Sequence, residues 1–349
     1  MSVTILALET SCDETSAAVV ADGSKILSNI ISSQVDVHQK FGGVVPEVAS
    51  RKHLELLNYV VEQALAESGL GFGDLGAVAV TYGPGLVGAL LVGVSAAKAI
   101  AYGLDLPLVG VNHIESHIYA NFTVNPDLNF PLLCLVVSGG HTDLVYMERH
   151  GCFRVMGKTR DDAAGEAFDK VARTLGLGYP GGPLVESLAK EGNPEAIKLP
   201  RAYLEKGSLD FSFSGLKSAV INYLHRAEQK HDEVNRADLA AGFQSAVSDV
   251  LVDKTIEAAA ETGISTILLA GGVAANGRLR ADLLEKAGKK SLKVNIPPLI
   301  LCTDNAAMVG CAAYYKFLRD EFAPLTLNAV PDLKLGEERY EGNFRRIIF

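Results

Sequence analysis

The chain has 349 residues, of which 48% are hydrophobic and 21% charged, with 34 glycines against 13 prolines. That length supports two domains, each with its own core, and the composition excludes a disordered or low-complexity chain. A formal net charge of −9 gives no electrostatic footprint of a stand-alone nucleic-acid binder.

The chain opens on MSVTILALETSCDET, which lacks a basic region and meets acidic residues before any long apolar run; it does not read as a secretory signal, and a cytoplasmic location is expected. Hydrophobic alternation predicts strands at 3–8, 15–21 and 25–32, a helix over 46–68, a strand at 77–80, a helix over 84–101, a strand at 108–111 and a helix over 113–122. The most apolar stretch, 84–97, is too short and glycine-rich for a clear membrane span and reads as a buried helix, so no membrane contact is expected.

The second half restarts with strands at 132–137, 143–147 and 153–157. Helices follow, including a long one over 237–262, then a strand at 265–270, a helix over 276–286, a strand at 292–296 and a helix over 304–319. The order βββαβαβα thus occurs twice and predicts an α/β chain of two lobes, 1–124 and 125–349, with a helical insertion over about 176–236 and a C-terminal tail able to pack back on the first lobe. Ligands of such folds sit near strand ends and helix N-termini, between the lobes.

Three turns occupy such places. SGGHTD, at 138–143, pairs two glycines that let backbone N–H groups point at an anion, although an ordinary hairpin turn has the same composition. LETSCDET, at 8–15, offers hydroxyls and the carboxylates Glu9, Asp13 and Glu14 for phosphate or metal chemistry, or merely a solvated turn. LLAGGVAANGRL runs from a strand into a helix with Asn276 as its expected N-cap.

In NHIESH, His113 and His117 stand four residues apart and project from one helix face. The corresponding last helix of the second copy opens at CTDNAAM, which places Asp304 at its N-terminus and across the cleft from the histidines. Two imidazoles and a carboxylate with open positions suit iron(II) or zinc. A zinc protease would need H-E-x-x-H, whereas Glu115 lies about 200° around the helix from His113. The five cysteines form no C-x-x-C pair, so neither a disulfide framework nor a thiolate zinc site is expected.

LETSCDET, FGGVVPEVASRKH, NHIESH, LVVSGGHTDL, DDAAGEAFDKVARTLGLGYPGGP, DFSFSGLKSAV, AGGVAANGRLR and TDNAAMVG occur in that order, and with them the chain resembles the TsaD family of tRNA N6-adenosine threonylcarbamoyltransferases over nearly its whole length. The resemblance implies an actin/Hsp70/sugar-kinase-like (ASKHA) fold and transfer of a threonylcarbamoyl group from threonylcarbamoyl-AMP to the exocyclic amine of the adenosine beside the anticodon. It implies His113, His117 and Asp304 as ligands of one divalent metal ion, and Val136, Val137, Ser138, Gly139, Gly140, Asp169, Gly182, Glu186 and Asn276 as substrate contacts. No general base is assigned. Glu186 stands where a shorter aspartate is common. TsaB-like and TsaE-like partner proteins are implied as well, in keeping with thin basic patches at Lys158 and Arg160, Arg201 and Lys206, and Arg345 and Arg346. The face of Val48, Leu54, Leu57 and Val61 is either a docking surface or core. A sugar kinase, an O-carbamoyltransferase and a non-catalytic binding subunit are the competing functions on such a fold.

Overall fold

The computed structural model describes residues 2–339; Arg345 and Arg346 lie outside them. The first half runs β1 Thr4–Glu9, β2 Glu14–Ala21, β3 Lys25–Ser33, α1 Val35–His38, α2 Pro46–Ser68, β4 Ala77–Gly83, α3 Val87–Leu104, β5 Leu108–Asn112 and α4 His113–Val124. Then follow β6 Leu132–Val137, β7 Thr142–Arg149, β8 Cys152–Lys158, α5 Ala164–Thr174, α6 Gly181–Ala189, α7 Ser214–Lys230, α8 Arg236–Thr262, β9 Thr266–Ala270, α9 Gly277–Lys289, β10 Lys293–Asn295 and α10 Ala306–Phe317. Two five-stranded mixed sheets result, ordered β3-β2-β1-β4-β5 and β8-β7-β6-β9-β10, so each strand of the first has a counterpart in the second. In both, the first strand of the copy pairs antiparallel with its hairpin partner and parallel with the strand that follows a helical crossover.

The chain divides into two compact units. The described part of the first comprises residues 2–129, 149–153 and 297–339. Every residue of β4 and β5 is buried, which is why both read as continuous apolar runs rather than alternating ones. The helix α2 buries Leu57, Val60, Val61, Ala64 and Leu65 at helical spacing but leaves Leu54 68% exposed, so the four-residue face Val48–Leu54–Leu57–Val61 is split between core and surface. The apolar helix α3 is not fully buried as its composition suggested. Ala89, Leu90, Gly93, Val94, Ala97 and Ala101 pack inward, while Val87, Leu91 and Tyr102 are exposed. Among the described residues it is the one helix long and apolar enough to cross a membrane, by length and composition alone.

The helix α10 belongs to this unit, which differs from a division of the chain at 124/125. Its side chains are mostly small, and at Gly310 a Cβ would lie 2.7 Å from Val20 Cγ2 and 3.3 Å from Ala7 Cβ, so the helix settles directly on β1 and β2. Its first amides are held there as well: Ala306 N donates to Ser16 Oγ and Ala307 N to Asn29 Oδ1. This packing carries the segment just before α10, and Asp304 with it, into the same unit as α4.

The second unit comprises residues 130–148 and 154–296. Its long helix α8, capped by the Asn235 side chain, is buried on most sides and packs against α6 and α9. The expected insertion holds α6 and α7. It is tied back to the unit by Asp161, whose carboxylate accepts from Phe213 N and from the Ser212 and Ser214 hydroxyls. Lys254, 2% exposed, turns its ammonium onto the carbonyls of Tyr203 and Ser208 and so pins the loop before α7.

Candidate metal centre and ligand pocket

The strand β5 ends in Asn112, whose side chain accepts from Ile114 N and Glu115 N and so starts α4 at His113. One turn on, His117 stands beside it, with ring centroids 4.7 Å apart. Asp304 precedes α10, whose N-cap is Asn305 rather than Asp304, so its carboxylate is not spent on capping that helix. Asp304 Oδ1 lies 3.1 Å from His117 Nε2 and 3.6 Å from His113 Nε2. One ligand atom from each of the three residues falls within 4.8 Å of the others. The expected constellation therefore assembles, but inside the first unit.

Two features fit a cation at this point. His117 is fully buried, and its ring nitrogens make no aligned hydrogen bond although Nε2 lies 3.1 Å from Asp304 Oδ1, a costly arrangement that a metal held between the two would relieve at Nε2. His113 shows the support usual behind a metal-ligating imidazole, because its Nδ1 lies 3.1 Å from Ser11 Oγ and 3.3 Å from Glu9 Oε2 while Nε2 faces Asp304. Glu9 is itself held: Ser11 N donates to Oε1 at 2.6 Å and Thr81 Oγ1 to Oε2 at 2.5 Å. Glu9 and Ser11 come from the turn at 8–15, for which the sequence allowed metal chemistry without saying which side chains would serve it.

The electrostatics agree. Burial alone would depress the His113 imidazole, but the Asp304 and Glu9 carboxylates outweigh it and push its pKa up to about 9. Burial also drives the Glu14 carboxyl up, reinforced by the neighbouring Asp304 and Asp13 carboxylates. In the metal-free fold protonated His113 adds stability that is complete below its ordinary value of 6.5 and is lost as pH rises through about 9. Metal must displace that proton. Affinity for a divalent ion should therefore rise by up to about tenfold per pH unit between neutrality and pH 9 and then level off, as ligand deprotonation requires. Titration in chelator-buffered metal at several pH values checks this; a flat profile would contradict the assignment of His113.

Glu115 takes no part. It is 5% exposed, its carboxyl is raised by burial, and the charges that oppose this are Lys316 and Arg319, neither of them in the triad.

In the second unit a pocket forms where α5, α6 and the start of α9 meet the β6–β7 turn. Gly139, Asp169, Gly182, Glu186 and Asn276 line it, five of the nine substrate contacts implied by the resemblance. The other four stand differently: Val136 and Val137 are fully buried within β6, Ser138 shapes the turn by accepting from His141 N, and Gly140 is not part of the lining. Asp169 Oδ1 accepts from Gly181 N at 2.7 Å and so holds the first turn of α6. The longer Glu186 reaches across to α9, where Oε1 accepts from Gly277 N at 3.0 Å. Asn276 caps α9 as expected, its Oδ1 accepting from Leu279 N. The lining also includes Gly165 and Phe168, which the sequence reading missed. Gly165 N donates to Ser138 O and Ala164 N to Thr142 Oγ1, latching the N-terminus of α5 onto the glycine turn.

Duplicated five-stranded units with glycine turns define an ASKHA-class fold, joined in one chain to a His–His–carboxylate cluster that could hold a metal and that differs from the all-oxygen set of phosphoryl-transfer enzymes. Solved structures agree on the fold: T. kodakarensis HypF superposes with a TM-score of 0.60 at 14% identity, over 91% of this chain and 48% of that one. The Acidaminococcus fermentans (R)-2-hydroxyglutaryl-CoA dehydratase component A gives 0.52 at 14%, over 90% and 98%. Residues 25–311 match the family described as TsaD: tRNA N6-adenosine threonylcarbamoyltransferase. Relatives bearing that name from Moorella thermoacetica and Desulfitobacterium hafniense are 64% and 63% identical, over 95% and 96% of this chain and 97% and 98% of their own lengths. The chain belongs to this family of transferases.

Proposed function

We propose that the chain moves the threonylcarbamoyl group of threonylcarbamoyl-AMP to the N6 amine of the adenosine adjacent to the anticodon, in tRNAs reading codons that begin with A. The amine nitrogen bonds to the carbamoyl carbon and gives up a proton, the bond from that carbon to the phosphate oxygen breaks, and AMP leaves. Family membership over nearly the full chain carries this reading.

In this reading the pocket of the second unit holds the adenylate. The glycine turn meets the phosphate at Gly139, and Asp169, Glu186 and Asn276 supply acceptors and a donor for the nucleoside. His113, His117 and Asp304 hold iron(II) or zinc, and an ion bound there supplies a fixed positive charge for an oxygen that becomes negative. Glu9 and Ser11 keep His113 oriented.

The protein works in the cytoplasm with TsaB-like and TsaE-like companions. Two of the cations in its thin basic patches are engaged: Arg160 pairs with Glu205 and Asp210, and Arg201 with Asp249. The groove of Leu54, Leu57, Leu91 and Val92 between α2 and α3 suits an apolar protein partner better than lipid, because Asn58 and Ser95 also line it. The test is modification of tRNA by the lone chain supplied with donor and metal, then with the companions added. Multi-turnover modification should require them, and no peptide should be cleaved under any metal; tight tRNA binding and efficient turnover by the lone chain at physiological salt would overturn the partner requirement.

A further inference from the structure

Asn276 has two obligations. Its Oδ1 must face the amide of Leu279, because only an acceptor can cap that helix. This orientation fixes where Nδ2 points: 2.9 Å from Gln244 Oε1 and 3.4 Å from Glu186 Oε2. Gln244 sits on α8, is 8% exposed and does not line the pocket. Its carbonyl is nevertheless the better placed acceptor for the Asn276 amide, and Asn276 in turn touches Glu186, which lines the pocket and holds Gly277 N. Three side chains from α6, α8 and α9 are thereby set in one chain of hydrogen bonds.

We propose that Gln244 is a positioning residue for the adenylate pocket: it holds the Asn276 amide, and through it the Glu186 carboxylate, in the orientation that receives the ligand. The inference rests on the adenylate reading of this pocket. Gln244 touches no ligand itself. Without its carbonyl, Asn276 Nδ2 is a buried donor left with one long contact, and the amide is free to turn toward Glu186 and draw that carboxylate away from the ligand.

The experiment is a double-mutant cycle read by calorimetric titration with AMP, using Gln244→Met, Asn276→Ala and the double variant of the full chain, with thermal unfolding and metal content of each as controls. Gln244→Met keeps the side-chain length but has no acceptor. It should weaken AMP binding about tenfold with metal content unchanged, raise KM for the donor rather than lower kcat, and cost almost nothing further once Asn276 is alanine, since coupling is confined to residues in one network. Equal AMP affinity in Gln244→Met and the unsubstituted protein, or losses that simply add in the double variant, would overturn the positioning role while leaving the adenylate pocket in place. If the unsubstituted protein fails to bind AMP, the pocket assignment falls before any variant is measured, and this inference falls with it. Should Gln244→Met not fold, Gln244→Leu serves the same cycle.

Discussion

His117→Ala and Asp304→Ala should each yield a folded protein that no longer retains metal at stoichiometric level and has lost transfer activity. The triad offers three candidate ligand atoms within 4.8 Å, so each removal should take about a third of the protein's contribution to a structural-type affinity. On the usual scale for protein-bound zinc that is about 3–5 kcal/mol, roughly a hundredfold to a few thousandfold in affinity. Folding should survive because α4 and α10 are held by other contacts: the Asn112 and Asn305 caps and the close packing of Gly310 on Val20 remain. Glu115→Gln is the control. Glu115 shares the helix with both histidines, but its charged neighbours are Lys316 and Arg319, so metal content should be unchanged. Elemental analysis of the purified variants decides the matter; equal metal in all of them would remove the triad from the site.

The second large effect is expected at Gly165. A Cβ there would lie 2.6 Å from Ser138 O and 2.8 Å from Gly139 Cα. Both are backbone atoms of the glycine turn, so neither can rotate out of the way as a flexible side chain would. Gly165→Ala must either push α5 off the turn or reshape the turn itself, and both break the bond from Gly165 N to Ser138 O. Overpacking of this kind costs about 1–3 kcal/mol, which appears as roughly a five- to hundredfold loss of AMP affinity if the strain falls on the ligand-bound turn. Gly139→Ala is the informative contrast, because a Cβ at that position meets nothing within 4 Å of the protein and intrudes only on the pocket. It should leave thermal stability alone and weaken binding, whereas Gly165→Ala should lower both. Unchanged AMP binding in both variants would show that the turn does not hold the ligand.

Much of this molecule is local enough to be written in the sequence. The helix expected over 46–68 forms at Pro46–Ser68, the strand at 132–137 forms at Leu132–Val137, and the repeated element order becomes two sheets with matching strand orders. Hydrophobic period and end signals decide such things, because they depend on neighbours a few residues away. The same holds for the His113–His117 pair, which helical geometry alone places on one face, and for the Asn276 cap.

What the sequence left open depends on residues far apart in the chain. That the small residues of α10 would settle on β1 and β2, and so bring Asp304 to the histidines within one unit, follows from close packing at Gly310 and Val20 that no periodicity encodes. Glu9 and Ser11 in a carboxylate-rich turn look like solvated residues until the fold buries them against His113. Leu54 and Leu57 belong to one apolar pattern, yet only the packing of α2 decides that one is 68% exposed and the other 4%. Gly165 and Gln244 carry no motif of their own: a backbone touching a backbone, and an amide facing an amide from another helix, exist only once the helices are in place.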